Sequence, residues 1–189
     1  MQLSNHRTRR RSSTRNNRGV SLIEVLISIL LAAIGLLALA GTNVASIRYT
    51  KMSQYRGTAT LLAADIGERM RANKAGLASY AVTDDFNAQA SAPVANTTCE
   101  TYTVVACTPA ILAAYDLATW RLLVRNQLPE GSVFITPNAL HSAADVWLAW
   151  RDPAVADSLD APVAQLECPN GLNTGAEPSV RCSYFRINL

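Results

Sequence analysis

The chain has 189 residues, 49% of them hydrophobic and 16% charged, with a formal net charge of +3. That charge is uneven: Arg7, Arg9, Arg10, Arg11, Arg15 and Arg18 precede residue 20 with no acid among them, leaving 11 basic against 14 acidic residues in the remainder. The excess therefore belongs to a short leader and leaves a downstream chain of about −3; such an arginine cluster could bind nucleic acid, but its place directly before a membrane-length apolar run favours another role.

Val20 to Ala40 is an apolar run of 21 residues whose only charge is Glu24. At about 1.5 Å rise per residue it spans the roughly 30 Å hydrocarbon core of a bilayer as a helix. The arginines in front act as the positive-inside signal, so the N-terminus stays in the cytoplasm and everything after the span lies outside it. An ionised side chain in the bilayer costs at least about 2.5 to 3.5 kcal/mol, so Glu24 requires a partner. No basic residue lies within a helical turn of it. Cleavage after Gly19 would create one, because the new Val20 amine is cationic near neutral pH and sits one turn from Glu24. An amine of one subunit meeting Glu24 of a neighbour would neutralise both inside an apolar bundle.

Three simpler readings compete. A signal anchor tolerates one interfacial acid. An ordinary secretory signal would use the small-x-small site Ala38-Leu39-Ala40, but the run is too long for an h-region and contains Glu24. A twin-arginine signal at Arg9-Arg10-Arg11 lacks the apolar and lysine residues that follow such a pair.

The stretch Gly19-Val20-Ser21-Leu22-Ile23-Glu24 resembles the class III leader of type IV prepilins and type II secretion pseudopilins, usually glycine, phenylalanine, threonine, leucine, isoleucine, glutamate. Val20 and Ser21 are the departures, and both keep the chemical character. The resemblance implies that a prepilin peptidase of the membrane aspartyl class cuts between Gly19 and Val20 and methylates the Val20 amine. It also implies that Glu24 steers subunit docking.

After the span, Ala45 to Lys74 keeps helical spacing, with Tyr55, Ala59, Leu62, Ile66 and Met70 on one face. Asp65 with Arg69 and Glu68 with Arg71 stand at ion-pair spacing on the other side. The expected helix runs unbroken from Val20 to Lys74, about 80 Å long, with Gly76 as its stop and Gly41 and Gly57 as weak points. Its C-terminal half packs on the chain's own domain, and its first half must meet lipid or other helices. Leu77 to Ala106 reads as a long connection with one or two short strands, the best being Tyr102-Thr103-Val104-Val105. Thr108 caps and Pro109 opens a second helix to Leu128, stopped by Pro129, with Ala113, Leu117, Trp120, Val124 and Leu128 facing a core.

Strands are expected at Ser132 to Thr136, Val146 to Arg151 and Val180 to Leu189. In the middle one Val146, Leu148 and Trp150 alternate with Trp147 and Ala149. Trp147 and Trp150 raise the idea of a stacking platform, but core packing is the stronger reading for aromatics on short strands.

Cys99, Cys107, Cys168 and Cys182 form an even set beyond the membrane, where disulfides persist. They allow three connectivities, of which sequence neighbours are the simplest. None has CxxC spacing, and His6 and His141 add too few ligands, so no metal or other cofactor is expected. Asp152, Asp157 and Asp160 lack the pattern of a calcium loop and read as a solvated acidic loop. No catalytic motif appears, and the chain is not expected to be an enzyme.

The segments Leu61 to Asn73, Asp116 to Arg121 and Val146 to Arg151 together resemble the type IV pilus modification protein family, PilV. That resemblance covers nearly all of residues 18 to 189. The expected fold is α+β and pilin-like, a long N-terminal helix packed on a small antiparallel sheet domain with a second helix. The organisation expected is a basic prepilin leader over 1–19, a long helix over 20–75 with its membrane span at 20–40, and a periplasmic globular domain over 76–189. The resemblance implies a minor pilin that starts pilus assembly at the tip. Its partners would be prepilin peptidase, the major pilin and other minor pilins, a tip adhesin and the inner-membrane assembly platform. It would reside in the inner membrane and then in the pilus. The alternatives are a minor pseudopilin of a type II secretion system and, from another class, a signal-anchored periplasmic enzyme or binding domain.

Overall fold

The computed structural model describes residues 19–91, 94, 99, 107–152, 167–174 and 179–189. The leader arginines, the strand expected at Tyr102 to Val105, and Asp157 and Asp160 lie outside the described residues. The chain divides into two compact units, Met1–Ala45 and Ser46–Leu189.

Helix α1 runs over Leu22–Ala72, 51 residues, and is unbroken at Gly41 and Gly57. Both ends are shorter than the spacing predicts. At the start Gly19, Val20 and Ser21 are not helical, and the Ser21 carbonyl accepts the first bonds, from the Glu24 and Val25 amides. At the finish the Asn73 N–H is shared between the carbonyls of Arg69 and Met70, and the chain tightens into a 3-10 helix over Lys74–Tyr80. Gly76, the expected stop, lies inside that tighter turn. A Cβ there would stand 2.4 Å from the Pro109 carbonyl oxygen, so glycine is needed for close approach to the next helix rather than for ending this one.

Helix α2, Pro109–Gln127, begins as predicted: the Thr108 hydroxyl accepts from the Ile111 N–H, with proline in the first turn. Strands β1 (Ser132–Asn138), β2 (Ala143–Arg151) and β3 (Val180–Asn188) form an antiparallel sheet in the order β1-β2-β3. β1 runs two residues beyond its predicted end, through Pro137, which a strand tolerates where it has a neighbour on one side only. Further up β1, Val82 bridges Ile135 through a reciprocal pair of backbone hydrogen bonds.

One sheet face carries Val133, Ile135, Val146, Leu148 and Trp150 into a core shared with Ala59, Leu62, Ile66 and Met70 of α1 and with Ala113, Trp120 and Val124 of α2. The predicted face of α1 is thus the buried one, and each such large side chain contributes about 1.5–3 kcal/mol of transfer free energy. Trp120 is fully buried, and its indole N–H donates to the Leu62 carbonyl at 2.9 Å, tying α2 to α1. The opposite sheet face holds Phe134, Ala149, Val180 and Cys182, covered by Phe86 and Leu172. The architecture is therefore α+β: a long apolar N-terminal helix, a second helix and a small three-stranded antiparallel sheet.

Two disulfides are formed, Cys99 to Cys107 and Cys168 to Cys182, which is the pairing of sequence neighbours. Asp152 departs from the solvated loop expected of it. It is 1% exposed at the end of β2, where its N–H donates to the Ser179 carbonyl at 2.7 Å.

Candidate functional site

The Gly19 to Val20 bond lies ahead of α1, and both residues are exposed and non-helical. Chain of this kind is accessible without unwinding of a helix. Among the described residues nothing lies within 4 Å of where a Cβ on Gly19 would be, so no packing among them demands glycine at this position. Glu24 follows in the first turn of α1. The unpaired amides of a helix start favour an acid there by about 0.3–1 kcal/mol. Among the described residues its carboxylate has no ion-pair partner. Val20 and Glu24 differ by four positions, which places them on one helical face once the helix is extended to Val20.

Downstream of Glu24 the helix is apolar on all sides. Every Val, Leu and Ile from Val20 to Leu39 is between 45% and 80% exposed. A helix with no polar face is stable when surrounded by lipid or by other apolar helices, and this stretch is long and apolar enough to cross a membrane. Small residues make a shallow apolar groove along it, lined by Ala32, Gly35, Leu36, Ala38, Leu39 and Thr42. Gly35 has open space where a Cβ would be, so another helix could approach its backbone closely.

The globular unit holds polar clusters of a different kind. The Tyr80 hydroxyl donates to the Asp116 carboxylate, Arg69 reaches Asp116, Asp65 and the Thr119 hydroxyl, and the Asn73 amide donates to the Pro109 carbonyl at 2.7 Å. Tyr80 is fully buried, and burial first, then its bond to Asp116, pushes the phenol well above its ordinary value. Sequence reasoning placed Asp65 with Arg69, and Glu68 with Arg71, and both ion pairs form. It missed Asp116 as the acceptor for Tyr80. The signal was present, since Asp116 interrupts the apolar face between Ala113 and Trp120. This cluster joins the end of α1 to α2.

The two strand tryptophans do not form one platform. Trp150 is buried on the inner sheet face, and Trp147 lies on the other, edge-on to Phe134 and 4.8 Å from the Tyr184 ring. Tyr184 is half exposed, and its hydroxyl donates to Asp145, which raises its pKa from the ordinary value. His141 falls in a short 3-10 turn, Ala139–His141. Among the described residues no group of three or more His, Cys, Asp or Glu is placed to hold a metal ion.

Comparison with known families gives two matches. Residues 42–118 match the family model described as type IV pilin Tt1218, and residues 14–40 match the prokaryotic N-terminal methylation motif. No curated protein matches the chain, and no solved structure does. The chain thus carries a type IV pilin Tt1218-like region and a methylation motif, which together support a type IV pilin and are consistent with membrane anchoring through the apolar helix.

Proposed function

We propose that this chain is a minor type IV pilin of the PilV kind, cut after Gly19 by prepilin peptidase, methylated on the Val20 amine and built into the fibre through the first half of α1. The observation that carries this reading is the continuity of three features. A methylation motif covers residues 14–40, the cleavable bond is exposed, and the apolar helix that follows has Glu24 in its first turn. A single acid in an otherwise uncharged span serves assembly by accepting the amine that cleavage creates on an adjoining subunit, and this pairing sets the axial register. The helix surface then packs against other pilins, with the small residues near Gly35 allowing close approach.

In this reading the chain starts in the inner membrane with residues 20–40 as its span and residues 76–189 in the periplasm. It then joins the major pilin and other minor pilins and presents a tip adhesin. Its work is assembly rather than catalysis.

Intact mass of the N-terminal peptide tests the route. A methylated Val20 start is expected; a Gly41 start would mean ordinary signal cleavage, and an intact Met1 would mean a signal anchor. For the register, Glu24→Val is expected to enter the membrane normally and to be strongly depleted from sheared pili. Normal incorporation of that variant would sink the role of Glu24.

A further inference from the structure

Beyond the apolar run, α1 carries a short basic and aromatic segment that neither the fold nor the assembly reading uses. Ile47 and Tyr49 are 62% and 67% exposed, and Arg48 and Lys51 are exposed as well. Among the described residues neither Arg48 nor Lys51 has an ion-pair partner, whereas the next base, Arg56, is held by Glu167 at 3.1 Å. Ser46, Tyr49, Thr50, Ser53 and Gln54 line a shallow groove on another side of the same helix. Two exposed cations without carboxylate partners, with the Tyr49 hydroxyl between them in the chain, suit a ligand whose oxygens only accept, which is the chemistry of a phosphate diester.

We propose that Arg48, Tyr49 and Lys51 form a collar that binds the headgroups of anionic phospholipids in the outer leaflet of the membrane that α1 crosses. The proposal rests on the membrane reading of the apolar run. Arg48 comes 26 residues after Leu22, where α1 begins. At about 1.5 Å per residue that interval is about 39 Å, longer than the roughly 30 Å hydrocarbon core and close to the 40–45 Å that includes both headgroup layers. Tyrosine is a ring with a polar tip and belongs at that depth, where lysine and arginine also meet lipid phosphate. The competing occupant is the acidic surface of a second copy, because residues 57 to 189 hold 8 basic against 13 acidic residues. Among the described residues seven of those acids, Asp65, Glu68, Asp84, Asp116, Glu130, Asp145 and Glu167, are already ion-paired within their own unit, which favours the lipid.

The collar also changes what leader removal does. Before cleavage six arginines stand on the inner side of the span, and afterwards the bases nearest the span are those of the collar. Each base near an anionic surface strengthens binding by about fivefold, so cleavage would move the electrostatic grip from the inner leaflet to the outer.

The full-length chain in vesicles of phosphatidylcholine with added phosphatidylglycerol tests this. Electron spin resonance compares the contact of spin-labelled phosphatidylglycerol with that of spin-labelled phosphatidylcholine. Preference for the anionic label is expected, reduced several-fold in the double variant Arg48→Gln, Lys51→Gln, and unchanged in Arg56→Gln. An unchanged preference in the double variant overturns the collar while the chain remains inserted. Self-association in pure phosphatidylcholine that the double variant abolishes, with no change in lipid preference, assigns the segment to a second copy and overturns the collar too. Failure of the chain to float with vesicles removes the membrane reading itself, a result distinct from both.

Discussion

The two halves of α1 share a backbone conformation and differ in everything that surrounds it. From Leu22 to Leu39 apolar side chains point in every direction and all are exposed, whereas between Ala59 and Met70 a single stripe of Ala59, Leu62, Ala63, Ile66 and Met70 is buried and Leu61, off the stripe, is exposed. The second half is solved within the chain: its stripe meets the sheet and α2, and Asp65, Glu68, Arg69 and Arg71 take the remaining sides. The first half is solved only by something else. Water is a poor surrounding for so large a continuous apolar surface, so lipid or other helices must cover it. What the difference teaches is that helical periodicity separates an intramolecular interface from an intermolecular one. A stripe serves one neighbour, and an apolar surface on all sides serves a solvent or a bundle.

The comparison makes a ranked set of expectations for the globular unit. The largest effect belongs to Trp120→Ala, which removes a fully buried side chain and the indole bond to Leu62. A loss of about 3–5 kcal/mol is expected in denaturant unfolding of the full chain in detergent. A loss under about 1 kcal/mol would mean that α2 does not hold the second half of α1. Next, Cys168→Ser with Cys182→Ser opens a link of sequence separation 14. Closing a loop of that size is worth about 3 kcal/mol, and the same unfolding measurement should show it.

Tyr80 supplies a pH-dependent effect. Its phenol is raised by burial and by its bond to Asp116, so the unfolded chain ionises first as pH rises. The stability it contributes is whole below about pH 10. Above that it falls by about 1.4 kcal/mol per unit until the folded phenol ionises as well. Tyr80→Phe should flatten this alkaline limb in unfolding curves; a limb of unchanged slope would place the titration elsewhere. The smallest effect is expected in the other half of the helix. Leu31→Ala should shift unfolding of the globular unit by no more than about 0.5 kcal/mol, because Leu31 is 64% exposed. A shift as large as that of a core residue such as Ile66 would erase the distinction between the halves.

Much of this was legible in the residues. The face of α1 that packs, the Thr108 cap and Pro109 start of α2, and all three strands follow from spacing, capping chemistry and alternation, which are local. Trp147 and Trp150 had to lie on opposite sheet faces because they are three apart on one strand. Other features depended on distant partners. Asp152 looked solvated beside other aspartates, yet a backbone bond to Ser179, 27 positions later, accompanies its burial. Gly76 looked like a helix stop, but its reason is the Pro109 carbonyl.

By itself the sequence determined the methylation motif, the apolar span and its lone acid, because these are properties of a short stretch of chain and its hydropathy. Tertiary structure alone decided where α1 ends, which acid receives Tyr80, and which bases among the described residues meet a carboxylate. Those outcomes depend on groups brought together by packing, and no local pattern records the distance between them.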